Sequence, residues 1–111
     1  MGKFIKGDVV VVPFPFSDLS ASKRRPALVL VDLMSDDLIL SQITSQSVTD
    51  NLAISIDNSD FANGGLNLSS NVRPNKLFTA DESIVLYKAG QLNTSKMDSI
   101  VDKIKDMLDG K

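Results

Sequence analysis

The sequence predicts a small, mainly β protein: an antiparallel barrel capped by a C-terminal α-helix. Three observations carry this. Short β-branched runs bounded by turn residues recur along the chain, residues 9–12 and 27–31 being the clearest. The repeat of apolar residues at helical spacing lies at the C-terminal end. Between the strands there are too few residues for helical crossovers, so a parallel βαβ arrangement is excluded.

Taken in order, residues 1–6 form a lead-in and residues 8–16 the first strand. Pro13 and Pro15 place its far end on a sheet edge or outside the sheet, because proline cannot donate to a central ladder. Residues 17–25, Ser-Asp-Leu-Ser-Ala-Ser-Lys-Arg-Arg, have the composition of a loop. Pro26 forces Arg25 into an extended conformation as the second strand, residues 26–34, begins. A turn at 35–37 leads to a third strand at 38–44, in which neither alternating face is purely apolar. Residues 45–51 are irregular, and residues 52–56 alternate as a half-buried strand. Residues 57–65 read as a loop or a helical turn closed by glycine. A short strand at 69–73 is expected to stop at Pro74. Residues 76–79 look extended, and a further strand at 83–87 is expected to turn at Ala89-Gly90. Met97, Ile100, Val101, Ile104, Met107 and Leu108 make one helical stripe. Its start is either Asn93, with Leu92 stapled to Met97, or Ser95 in a capping box with Asp98; Gly110 closes it.

A chain of 111 residues is expected to form one domain, residues 1–111. It has no cysteine, so disulfides and thiolate chemistry are excluded, and no histidine, so imidazole bases and ligands are too. Its apolar runs are too short to cross a bilayer and no leader is recognisable, which predicts a cytoplasmic protein without a membrane partner. The net charge of −2 advertises no general affinity for nucleic acid. Cations nevertheless cluster at Lys23-Arg24-Arg25, and acids collect at 32–37, at 50–60 and near the C-terminus. Nucleic acid would therefore bind locally, with Arg25 at the mouth of the sheet as a grip for phosphate.

Gly7-Asp8-Val9-Val10-Val11-Val12-Pro13-Phe14 followed by Arg25-Pro26-Ala27-Leu28-Val29-Leu30 resembles the opening of the MazF/PemK-like toxins, ribonucleases of bacterial toxin–antitoxin pairs. The resemblance continues in order through Ile39-Leu40-Ser41-Gln42-Ile43-Thr44-Ser45, Gly65-Leu66, Ser70-Asn71-Val72-Arg73, Lys76-Leu77-Phe78-Thr79-Ala80-Asp81 and Gly90-Gln91-Leu92 plus the terminal helix. It implies an SH3-like barrel that forms a homodimer, is held in check by a cognate antitoxin and cuts single-stranded RNA without metal or other cofactor. The ribose 2′-hydroxyl would attack the adjacent phosphate, leaving a 2′,3′-cyclic phosphate and a 5′-hydroxyl. The family's catalytic arginine and threonine fall on Arg25 and Thr44, and a second arginine of one branch on Arg73. Phe16, Asp18, Lys23, Arg24, Arg73 and Lys76 are the expected RNA contacts, with Asp18 a possible proton acceptor. Two features depart from the family pattern. The loop at 17–23 lacks the usual glycines, and Asn75 replaces an aspartate found in some members. The alternatives are a non-catalytic RNA- or protein-binding module on the same barrel and a gyrase poison. For the latter, residues 106–111 offer no aromatic anchor.

Overall fold

The computed structural model describes residues 4–15, 22–33, 35–46 and 51–111. Within them the chain forms strands β1 (Asp8–Pro15), β2 (Ser22–Asp32), β3 (Asp37–Thr44), β4 (Ile54–Ile56), β5 (Phe61–Gly64), β6 (Ser70–Asp81) and β7 (Tyr87–Leu92), then helix α1 (Thr94–Leu108). The strands make one antiparallel sheet in the order β4-β6-β3-β2-β1-β7-β5. The two edge strands of that order, β4 and β5, are consecutive in sequence. Only residues 57–60 join them, in a 3-10 turn at Asn58–Asp60. Four residues reach at most about 14 Å, so the sheet has to curl until its edges approach, giving a half-barrel.

Curling buries both faces of the central strands, which explains why β1 reads as an unbroken valine run. Val9, Leu28, Ile43, Ile56, Val72 and Leu92 form one core with Met97, Ile100 and Ile104 of α1. Val10, Val12, Ala27, Val29, Leu38 and Leu40 form a second core on the opposite face, with Phe4, Phe78, Ala80 and Val85 packed against it. The mixed alternation of β3 is thereby resolved, since Leu38 and Leu40 serve one core and Ile43 the other.

Asn93 is the N-cap of α1, its side chain accepting from the Lys96 N–H at 2.8 Å. At the other end Gly110 takes φ +79°, and the N–H groups of Gly110 and Lys111 donate to the carbonyls of Met107 and Asp106. This is the Schellman pattern, which requires a left-handed residue. The stripe of α1 packs on the sheet through Met97, Ile100 and Ile104, whereas Leu108 is 71% exposed.

Several boundaries differ from the sequence reading, each for a tertiary reason. The expected loop at 17–25 yields its last four residues to β2, where Ser22 to Arg25 pair with Pro15 to Val12. Residues 16–21 lie outside the described residues, as do residues 34 and 47–50. Beyond Val11, which pairs with Tyr87, β1 has no partner on its β7 side among the described residues, so Pro13 and Pro15 sit on an edge there as expected. β2 ends at Asp32, two residues before its expected end, and β4 begins at Ile54, two residues after its expected start.

Pro74 does not end its strand. β6 runs through it because Val72 pairs with Ile43 and Leu77 with Ser41, so residues 73–76 bulge opposite Gln42 alone. Proline in a bulge forfeits no ladder bond, and the Ser41 hydroxyl fastens the bulge by donating to the Arg73 carbonyl at 2.7 Å. Residues 82–84 form a 3-10 turn instead of a strand, and β7 starts only at Tyr87. Gly90 is interior to β7 rather than a turn. A Cβ there would lie 2.6 Å from the Asn63 carbonyl and 2.8 Å from the Gly65 nitrogen, so glycine is what lets β5 cross this closely.

Asp8, at the start of β1, is 1% exposed. Its carboxylate accepts from the Ile5 N–H at 2.9 Å and Gln91 Nε2 at 3.1 Å, and Lys88 Nζ lies 3.1 Å away. It thus ties the lead-in to β7. Asp8→Ala strands two donors, and unfolding in urea should show a loss of about 1–3 kcal/mol. Asp8→Asn keeps an acceptor and should lose less. On the surface, the carboxyls of Asp57 and Asp81 are held below their ordinary value by hydrogen bonds from Ser59 and Ser83. A carboxyl pKa lowered by folding adds stability above its unfolded value, and that stability is lost as the pH falls through the folded one. No helix among the described residues is long and apolar enough to cross a membrane.

Candidate functional site

The candidate site is a polar row at the open end of the second core. Thr44 pairs with Asn71 on β6, and Asn71 with Ser55 on β4, so the three form one line across neighbouring strands. Ala27–Gln42 is the last pair of the β2–β3 ladder, and Arg25 and Thr44 each lie two residues beyond it, at the same end of the sheet. Directly opposite side chains on such a ladder have Cβ atoms about 4.5–5.5 Å apart, so the row is a continuous strip of donors and acceptors.

Each member is placed by its local sequence. Pro26 keeps Arg25 extended, and its guanidinium is half-buried with Nε inside the protein. Thr44 closes β3 and is 8% exposed. Its Oγ1 accepts the Gln46 N–H at 3.2 Å, a bond that leaves the hydroxyl its own proton to donate. The Gln46 carbonyl receives Asn71 Nδ2 at 3.5 Å, linking the turn after β3 to β6. Beside the row, the bulge in β6 carries Arg73, half-buried with Nε again inside, and Lys76, exposed. Bulges commonly re-aim side chains in this way next to functional sites. Asn75 belongs to the same bulge and is exposed.

Arg24 alternates with Arg25 along β2, yet both arginines line one cavity of about 190 Å³, together with Ser45, Leu66, Leu68 and Ser70. The Ser70 hydroxyl holds the rim of that cavity by donating to the Leu68 carbonyl at 3.0 Å. Two members of the three-cation run thus reach one cavity. Lys23 pairs with Phe14 through the backbone, but the side chains of both lie outside the described residues, as do Phe16 and Asp18 entirely. Phe78 packs on the second core, the usual fate of phenylalanine in a strand. Of the expected site residues, Arg25, Thr44, Arg73 and Lys76 gather at one end of the sheet. Asn71 and Ser55 share their row without having been expected there. An asparagine inside a strand, where that residue is depleted, was the available signal for the first.

The curled antiparallel sheet with its C-terminal helix is the fold of the MazF-type toxins. A mycobacterial endoribonuclease, solved in complex with its cognate antitoxin, superposes with a TM-score of 0.76 at 14% identity, covering 96% of this chain and 95% of the other. MazF from Deinococcus radiodurans, in a MazE-MazF crystal, gives 0.74 at 17% identity with 96% of each chain covered. The Mycobacterium tuberculosis toxin MazF-mt6 gives 0.72 at 17% identity, with 92% and 96% covered. No curated protein sequence matches significantly. The model of the PemK-like, MazF-like toxins of type II toxin–antitoxin systems matches residues 5–108, and the chain belongs to this family.

Proposed function

We propose that the protein is the toxin of a type II toxin–antitoxin pair and acts as a metal-independent, sequence-selective endoribonuclease on single-stranded RNA. The observation that supports the reading is that Arg25 and Thr44 each lie two residues past the last β2–β3 pair, at one end of the sheet, in a chain of this family. In the reaction the ribose 2′-oxygen bonds to the adjacent phosphorus and the bond from phosphorus to the 5′-oxygen breaks. The 2′-hydroxyl proton passes to a base, and the departing 5′-oxygen takes up a proton. The products are a 2′,3′-cyclic phosphate and a 5′-hydroxyl.

Negative charge builds on the non-bridging oxygens as the phosphorus becomes five-coordinate. A phosphodiester has two such oxygens; the planar fork of Arg25 matches both, and the Thr44 proton adds a second hydrogen bond to one of them. Thr44 itself is too weak a base to accept the 2′-proton, and Asp18 is assigned that role. Lys23, Arg24, Arg73 and Lys76 hold neighbouring phosphates, which positions the strand without reading it, and Phe16 meets a base. Thr44→Val keeps the shape and loses the hydroxyl. We expect cleavage to fall about 10–100-fold, the worth of a hydrogen bond to a charged group, with the melting temperature lowered only slightly by loss of the bond from the Gln46 N–H.

The same reading gives the chain one domain over residues 1–111, a cytoplasmic location, a cognate antitoxin that occupies the RNA site, and a second copy of itself as partner. Supporting the homodimer, Val31, Leu77 and Leu108 are all at least 38% exposed and rim an apolar hollow between the sheet and the end of α1. The test is incubation with a mixed-sequence RNA in the presence of a chelator. Cuts at a short repeated sequence are expected, and intact RNA over a wide range of protein concentration would refute the reading.

A further inference from the structure

We infer that Asn71 is the specificity-determining residue of this site and reads one base of the RNA, an adenine next to the phosphate held by Arg25 and Thr44. The inference rests on the endoribonuclease reading above and names what that reading leaves open, the group that selects the sequence. Asn71 stands one strand from Thr44 and directly opposite it, a separation of about 4.8 Å along the ladder. A base attached to the reacting nucleotides is therefore brought to Asn71 whenever the phosphate is brought to Thr44.

The side chain is not used up by the fold. A primary amide offers two N–H donors and a carbonyl oxygen with two lone pairs. Here one N–H reaches the Gln46 carbonyl at 3.5 Å, the outer limit of a hydrogen bond. Among the described residues the oxygen accepts no bond and the second N–H makes none. With the nitrogen turned to the Gln46 carbonyl, the amide presents a donor and an acceptor side by side on its other edge. Asparagine is also a poor strand residue, and β6 holds its register through Ser70 and Val72, buried on either side of it. A valine or threonine would suit the sheet better, so the sheet does not account for an amide at this position.

A donor beside an acceptor matches the N7 and N6 amine of adenine, the standard bidentate partner of asparagine. Single-stranded RNA exposes that base edge, which a duplex would hide. The remaining members of the row grip phosphate or, like Ser55, carry a single hydroxyl, which bonds to any base. Asn71 alone in the row has the two-point pattern that separates one base from another.

The test is cleavage of an RNA pool randomised around the cut site by the wild type, Asn71→Ser and Asn71→Asp, each checked for an unchanged melting temperature. The wild type should favour adenine at one position by about 10–100-fold over the other bases. Asn71→Ser should bring that ratio close to one while preferences at other positions persist. Asn71→Asp, which offers only acceptors, should move the preference to cytosine, whose amine can donate. An adenine ratio that survives in Asn71→Ser overturns the inference, whatever happens to the overall rate. So does a wild type that cuts without preferring adenine anywhere, a result that stands even if both variants fail to fold. A wild type that cuts no RNA at all would instead bring down the endoribonuclease reading, and this inference with it.

Discussion

Replacing Arg25 by alanine is expected to lower RNA cleavage about 10²–10³-fold, the cost of removing one preorganised donor from a developing oxyanion. The side chain lies at the same end of the sheet as Thr44, and its neighbours in the strand belong to a ladder made by backbone groups. The fold should therefore survive, with a far-UV spectrum and melting temperature close to those of the wild type. Arg25→Lys keeps the charge but loses the planar fork, so it should recover only part of the rate. Initial rates on a single defined RNA, measured for all three proteins, decide the matter. An Arg25→Ala protein as active as the wild type would remove the row from the mechanism.

The second large effect concerns stability. Leu28 is fully buried in β2 and packs between the sheet and α1, against Val9, Ile43, Val72 and Ile100. Two rigid layers meet there, and neither can collapse into the space of a missing isobutyl group. Leu28→Ala should cost about 2–5 kcal/mol, as for other leucines cut down in closed cores. For a domain of this size that is a fall in melting temperature of roughly 8–20 °C. Leu108→Ala is the matching control. That side chain is 71% exposed, and its loss in the isolated protein should stay within about 0.5 kcal/mol. A Leu28→Ala protein that melts like the wild type would mean that the helix does not seal this core.

Much of the architecture is legible in the sequence because it rests on local periodicity. The valine run of β1, the 27–31 run of β2 and the apolar stripe of α1 need only the periods of strand and helix to be recognised. What local reading misses is set by partners distant in the chain. Pro74 looks like a strand terminator until the register of β3 shows that a bulge absorbs it. β5, spelled Phe-Ala-Asn-Gly, has no strand signature and exists because β7 lies beside it, with glycine at 90 permitting the approach.

The site divides in the same way. Arg25 and Thr44 enter through the resemblance to a toxin family, and both lie two residues past the Ala27–Gln42 pair, at the same end of the sheet. That Arg24 and Arg25 alternate across β2 follows from the strand period, but that both border one cavity emerges only from the packing of residues 66–70 against them. Asn71 could not be placed from the sequence, since its alignment with Thr44 depends on a bulge of residues 73–76 that no local pattern announces.

The most direct test of the central claim is the chemistry of the ends left on cleaved RNA. Fragments from the wild-type protein in a chelator should carry 2′,3′-cyclic phosphates and 5′-hydroxyls, and Arg25→Ala should produce almost none. Ends with a 3′-hydroxyl and 5′-phosphate would mean that water, not the 2′-oxygen, attacks the phosphorus. RNA that is bound but left intact would assign the barrel a binding role without catalysis, and either result would contradict the mechanism built on Arg25 and Thr44.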